Sequence, residues 1–142
     1  MLASRAENFK NLIEKNYKKK IILIDRFTDS TIAYQHYGMK INLKIINNLN
    51  KFILGKFKPD LTVLSLVNKE NLKKRLNSRK KLNRYDKFKL KFYENVQNGY
   101  IQLSKNKEKK YLIIDSNKHS IKNIENKIIK RLDTFLKKWK TL

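Results

Sequence analysis

Ile21-Ile22-Leu23-Ile24-Asp25-Arg26-Phe27-Thr28-Asp29-Ser30-Thr31-Ile32-Ala33-Tyr34-Gln35 is the stretch on which the reading of this chain turns. Four consecutive aliphatic residues without alternation predict a strand buried on both faces, as in a parallel sheet covered by helices. The strand ends in two charges. Helices cover the faces of such sheets, so ligands bind in the crevice at the carboxyl ends of the strands, and Asp25 and Arg26 fall there. Ser30, Thr31, Tyr34 and Gln35 come next at helical spacings that carry side chains back toward that crevice. The same residues admit a plainer description, a charge pair closing a strand with Ser30 as a helix cap; spacing alone does not separate the two.

Working outward, apolar side chains recur at Leu2, Ala6, Phe9, Leu12, Ile13 and Tyr17, a one-sided stripe that predicts a helix over residues 2–17. Arg5 lies one position off that stripe. Beyond Gln35, residues 36–40 read as a turn containing Gly38, and residues 42–54 predict a helix with Leu43, Ile46, Leu49, Ile53 and Leu54 inward and Gly55 as its stop. Pro59 opens a second strand, Leu61 to Val67, and residues 69–82 predict a helix that buries Leu72, Leu76 and Leu82. Phe88, Phe92, Val96, Tyr100 and Leu103 recur every three or four residues, a long core-facing helix on which Tyr100 is either core or a hydroxyl aimed at the site. Tyr111 to Ile114 is the third strand, closed by Asp115-Ser116, and Ile121, Ile124, Ile128, Leu132, Phe135, Leu136 and Trp139 define the last helix. A helix followed by three strand-and-helix units predicts the α/β class with a parallel sheet, in one domain over residues 1–142.

Composition narrows the chemistry. With no cysteine there is neither a disulfide framework nor a thiolate metal site, and two histidines, His36 and His119, make no His-rich one. No apolar run reaches the length of a membrane span and no signal-peptide profile follows Met1, so a cytoplasmic soluble protein is expected. The 35 Lys and Arg against 12 Asp and Glu give a net charge of +23, a balance that favours polyanions and keeps a nucleic-acid partner as a rival reading. The excess is nearly all Lys, abundant together with Asn and Ile; these three share A/T-rich codons, which accounts for the charge without a polyanion. Against that background arginine is informative. Only Arg5, Arg26, Arg75, Arg79, Arg84 and Arg131 are present, and an Arg where Lys comes easily suggests a use for its planar, bidentate fork.

Asp-Arg-x-x-x-Ser-x-x-Ala-Tyr-Gln, as it stands in residues 25–35, closely resembles the nucleoside-monophosphate-binding segment of bacterial thymidylate kinases. The order of the later segments resembles that family too: Lys58-Pro59-Asp60-Leu61-Thr62-Val63-Leu64, Lys81-Leu82-Asn83-Arg84-Tyr85-Asp86, Asn98-Gly99-Tyr100 and Tyr111-Leu112-Ile113-Ile114-Asp115. The resemblance covers essentially the whole chain. It implies a sheet of the P-loop nucleoside-monophosphate-kinase type and transfer of the γ-phosphoryl group of ATP to deoxythymidine monophosphate (dTMP) with Mg²⁺. Arg26 would hold the acceptor phosphate, Asp25 would orient Mg²⁺ through water, and Arg5, Ser30, Thr31 and Gln35 would read sugar and base, with Tyr100 a further candidate. Arg75, Arg79 and Arg84 would belong to a lid over about residues 75–86, with Arg79 and Arg84 covering the donor phosphates. The family commonly forms homodimers.

Two departures accompany the resemblance. Met1 stands where the family usually stacks an aromatic ring on the base, and Ser65 and Leu66 stand roughly where it has an Asp late in the strand. A third bears on mechanism. Glycines occur only at positions 38, 55 and 99, none near another, so the chain contains no Gly-rich loop to cradle nucleotide phosphates. The resemblance implies that the pattern is joined after its first strand, P-loop, helix and second strand, roughly 60 residues by the size of a βαβ unit. The absent P-loop strand would lie between Ile21–Asp25 and Leu61–Val67. Three strands with two interior edges unpaired are therefore expected, in a chain marginally stable and inactive by itself.

Overall fold

The computed structural model describes residues 2–78, 88–105, 107 and 109–140. Arg79 and Arg84, with most of the expected lid, lie outside the described residues.

The first helix, α1, runs Leu2–Asn8, continues through a π-helical turn at Phe9–Ile13 and ends with Glu14–Asn16. Its apolar stripe does what the spacing predicts at Ile13, which is buried. Phe9 and Tyr17 meet the ring of Phe57 edge-on at 5.4 and 5.6 Å, and Phe27 joins them at 6.1 Å. This aromatic cluster pins α1, the Asp25–Phe27 turn and the loop ahead of the sheet to one another.

The next helix, α2, starts at Thr28–Thr31 and widens into a π-helix over Ile32–Gly38. Its Ala33 is fully buried against Phe92, Tyr93 and Val96, the centre of the core. Helix α3, Leu43–Leu54, is delimited by local chemistry: the Asn42 side chain accepts from the Lys44 N–H at 2.8 Å, and Gly55 ends the helix at φ 57°. Ile46 and Leu54 are buried as expected. Leu49 is not; it joins Ile45 and Phe52 on an exposed stripe, because the neighbour that the helix meets lies on the Ile46 side.

Strand β1 is Thr62–Leu66, helix α4 is Lys69–Asn77, helix α5 is Leu90–Ser104, strand β2 is Tyr111–Asp115 and helix α6 is Ile121–Lys140. β1 and β2 pair in parallel, Thr62 opposite Tyr111 through Leu66 opposite Asp115. Asn68 caps α4 by accepting from the Asn71 N–H, while Asn117 Oδ1 accepts from the Asn68 N–H and the Asn71 amide, tying together the loops that leave the two strands. Leu64 and Ile114, buried on opposite faces of the pair, show that helices cover both sides.

The expected first strand needs correction. Among the described residues the sheet has two strands, not three, and Ile21–Ile24 carries no sheet pairing. Ile21 is 59% and Leu23 84% exposed. Four aliphatic residues provide β propensity, but a strand is completed only by hydrogen bonds to a neighbour, and no described strand stands beside these residues. Between them and β1 opens a cavity of about 1000 Å³.

Candidate functional site

The turn after Ile24 decides where the site lies. Arg26 adopts φ 60°, a left-handed conformation that is uncommon for a residue with a side chain. In this pose its guanidinium lies 5.4 Å from the centre of the Tyr34 ring, with Nη1 donating to the Tyr34 hydroxyl at 3.4 Å. Burial, which lowers the affinity of the guanidinium for its proton, is outweighed by Tyr34, Tyr100 and Asp25, which raise it. Ser30 Oγ and the Tyr100 hydroxyl are 2.6 Å apart, so α5 reaches α2 through a polar bridge. Burial raises the Tyr100 phenol above its ordinary value. Arg26, Ser30, Tyr34 and Tyr100 all line the large cavity, as does Asp25.

Arg5, Thr31 and Gln35 form a second group on the adjacent face of α2, and none of them lines that cavity. Arg5 Nη1 donates to Thr31 Oγ1 at 2.6 Å and to Asn50 Oδ1 at 3.5 Å, and Nη2 donates to the Phe27 carbonyl at 3.2 Å. Its guanidinium also lies 5.5 Å from the Phe27 ring centre. Burial lowers its pKa. Arg5 therefore locks α1 onto the start of α2, and Thr31, 3% exposed, is spent as its acceptor. Gln35 Oε1 is buried with no donor among the described residues. An orphaned acceptor costs about 1–3 kcal/mol, so it stands out as a group awaiting a donor.

Sequence reading missed Asp29 and Tyr111. The Tyr111 hydroxyl donates to Asp29 Oδ2, joining the first residue of β2 to the first turn of α2. Burial, and then the hydrogen bond to that carboxylate, push the phenol well above its ordinary 10.0, so it stays protonated as the donor. Tyr111 gave no signal because an aromatic residue opening a strand reads as core. Among the described residues no three His, Cys, Asp or Glu side chains cluster to hold a metal. Asp25 lines the cavity together with Asp29 and Asp60.

The arrangement, a parallel β pair between helices with an acidic-basic turn at the crevice, has a close counterpart among solved structures. The crystal structure of thymidylate kinase from Ehrlichia chaffeensis superposes with a TM-score of 0.66 at 27% identity, over 94% of this chain and 62% of that one. The class is thus the α/β fold of P-loop nucleoside-monophosphate kinases. At the level of sequence, the model of the family described as thymidylate kinase matches residues 1–128. The thymidylate kinase of Kosmotoga olearia is 34% identical over 138 residues, 96% of this chain and 66% of that protein. That of Mycoplasma capricolum is 36% identical over 132 residues, 91% of this chain and 62% of that protein. The chain belongs to the thymidylate kinase family, and it spans about two thirds of the length of these relatives. No described helix is long and apolar enough to cross a membrane.

Proposed function

We propose that this chain provides the acceptor half of a thymidylate kinase, binding dTMP for transfer of the γ-phosphoryl group of ATP to give the diphosphate. The observation that carries this reading is the Arg26 turn: a strained backbone aims a guanidinium into a cleft beside three hydroxyls, those of Ser30, Tyr34 and Tyr100. A fork of N–H donors suits a phosphate monoester, and hydroxyls suit its sugar. The buried Gln35 oxygen suits an N–H on a base, and Arg5 and Thr31 would hold α2 in the pose that presents it. Asp25, one exposed carboxylate, fits Mg²⁺, which keeps several waters and takes one or two carboxylates besides substrate phosphates. The metal would neutralise charge on the phosphates being exchanged. Arg79 and Arg84 would cover the donor.

The donor phosphates need a Gly-rich loop that Gly38, Gly55 and Gly99 do not make. The chain by itself is therefore proposed to bind dTMP without phosphorylating it, and to pair with a second copy through the exposed stripe of α3. Calorimetric titration with dTMP, and with duplex DNA at two salt concentrations, tests this. Saturable dTMP binding that Arg26→Ala weakens at least about tenfold is expected, the loss of a charged hydrogen-bonding partner being worth about 1.5–3 kcal/mol. Salt-sensitive binding to DNA with no response to dTMP would replace this reading with that of a basic nucleic-acid-binding module. Robust ATP-dependent turnover of dTMP by the purified chain would refute the acceptor-half assignment.

A further inference from the structure

A second carboxylate stands in the wall that Arg26 lines. Asp29 borders the same cavity, three residues further along the turn into α2. Both charges act at one point: burial does most to raise the Tyr100 phenol, but that hydroxyl also feels Arg26, which eases its ionisation, and Asp29, which opposes it. A free carboxylate so placed has two ways to block an anion. It can take the Arg26 guanidinium, whose planar fork fits a carboxylate as well as a phosphate, or it can repel the incoming phosphate monoester. With Asp25 already acting on Arg26, a second free carboxylate would leave this part of the wall net negative.

The structure shows Asp29 engaged elsewhere. Among the described residues the ion pairs involve Lys69, Lys91 and Lys118, and Arg26 is in none of them. Arg26 Nη1 donates to the Tyr34 hydroxyl instead. Asp29 Oδ2 accepts from the Tyr111 hydroxyl, on the first residue of β2. Helix capping does not account for the acid. The N–H groups that open α2 would favour a carboxylate, yet no side chain caps that helix. Tyr111 does not line the cavity, so its phenol reaches the site only through Asp29.

We propose that Tyr111 is a positioning residue for anion binding: by holding the Asp29 carboxylate to β2, it leaves Arg26 to a phosphate monoester. The inference rests on the assignment of Arg26 to the acceptor phosphate. It differs from a plain tie between β2 and α2 in one consequence. Loss of a plain tie weakens the site whatever stands at position 29, whereas loss of this contact harms binding only while Asp29 carries its charge.

Calorimetric titration of the 142-residue chain with dTMP, and with thymidine, which lacks the phosphate, tests this beside the NMR signal of the Arg26 Nε–H. Tyr111→Phe weakens dTMP binding at least about tenfold, the effect of one misplaced like charge, and leaves thymidine unchanged. The double variant Tyr111→Phe with Asp29→Asn lacks the same donor but carries a neutral amide, and it regains wild-type affinity for dTMP. Asp29→Asn alone binds dTMP at least as tightly as the wild type. Without any ligand, the Arg26 Nε–H signal shifts in Tyr111→Phe, as the guanidinium takes the released carboxylate, and returns in the double variant. Unchanged dTMP affinity in Tyr111→Phe, an equal loss for thymidine, or no recovery in the double variant would make Tyr111 a structural tie and nothing more. Weakened dTMP binding by Asp29→Asn alone would do the same, and that variant decides the matter should Tyr111→Phe not fold. A wild-type chain that binds no dTMP counts against the nucleotide reading; the Arg26 signal still judges this one, and a signal unmoved by Tyr111→Phe overturns it.

Discussion

Arg26 and Tyr111 show how single residues here serve geometry before chemistry. The left-handed backbone at Arg26 places a guanidinium over Tyr34, a pose that a straight continuation of the preceding residues would not produce. Tyr111 links β2 to α2 through Asp29. Because its folded pKa lies above the ordinary 10.0, the link contributes fully below pH 10 and is lost as pH rises beyond it. Tyr111→Phe is expected to cost about 1 kcal/mol at neutral pH and to remove this part of the alkaline sensitivity. Urea midpoints of both proteins at about pH 8 and about pH 10.5 should therefore converge at the higher pH. Equal differences at both pH values would show that the phenol does not titrate with folding. The scarcity of arginine in a lysine-rich chain singled out Arg5 and Arg26, but not their partners. Thr31, Asn50 and the Phe27 carbonyl are 26, 45 and 22 residues from Arg5, beyond the reach of any local pattern.

Among elements, the crossing of α2 on α5 organises the core, and it depends on two glycines. A β-carbon on Gly38 would sit 2.5 Å from Phe92 Cε2, and one on Gly99 would sit 2.6 Å from Tyr37 Cδ2 and 2.9 Å from its Cβ. The first clash involves the far end of a ring. The second reaches the root of the side chain, so the helices must separate. Gly99→Ala is expected to lose about 1–3 kcal/mol by overpacking despite the better helix propensity of Ala, and Gly38→Ala to lose less; thermal unfolding of both variants checks the order. A stable Gly99→Ala protein would mean that the crossing is loose. The span of α3 and the start of α4 were legible because these ends are local: Asn42 and Asn68 cap by reaching two or three residues ahead, and Gly55 supplies the turn that stops α3; the turn expected at residues 36–40 was not, since helix runs on to Gly38. The inner side of α3 was legible too, at Ile46 and Leu54, though not at Leu49, which falls on the exposed stripe with Ile45 and Phe52.

For the molecule as a whole, surface left uncovered is the dominant feature. Among the described residues only nine hydrophobic side chains are buried, and the exposed stripe of α3 adds Ile45 at 55% and Phe52 at 89% to the open groove. If that stripe joins two copies, Phe52→Glu shifts the chain to monomer in sedimentation equilibrium and leaves dTMP titration unchanged. A wild-type chain monomeric at micromolar concentration removes the dimer. Charge also acts at this scale: Asp115, held below the ordinary carboxylate range by the backbone and side-chain amides of Asn117, contributes above the ordinary value of 3.8 and ceases to contribute as pH falls through its lowered pKa. Asp115→Asn should therefore flatten the acid limb of the urea midpoint, modestly because solvent screens this carboxylate. An unchanged acid limb would exclude it.

Residue order alone established the α/β class, both ends of α3 and the start of α4, the two aliphatic runs that became β1 and β2, and the Asp25-to-Gln35 motif that marks the family, because each rests on chemistry within a few positions of the chain. Folding in three dimensions decided whether Ile21–Ile24 is a strand, that Leu49 of α3 stays outside, and which hydroxyls gather at Arg26. Those outcomes depend on neighbours distant in sequence. A run of aliphatic residues carries the propensity to pair, but its partner must come from elsewhere, and beside Ile21–Ile24 that partner's place is an open groove.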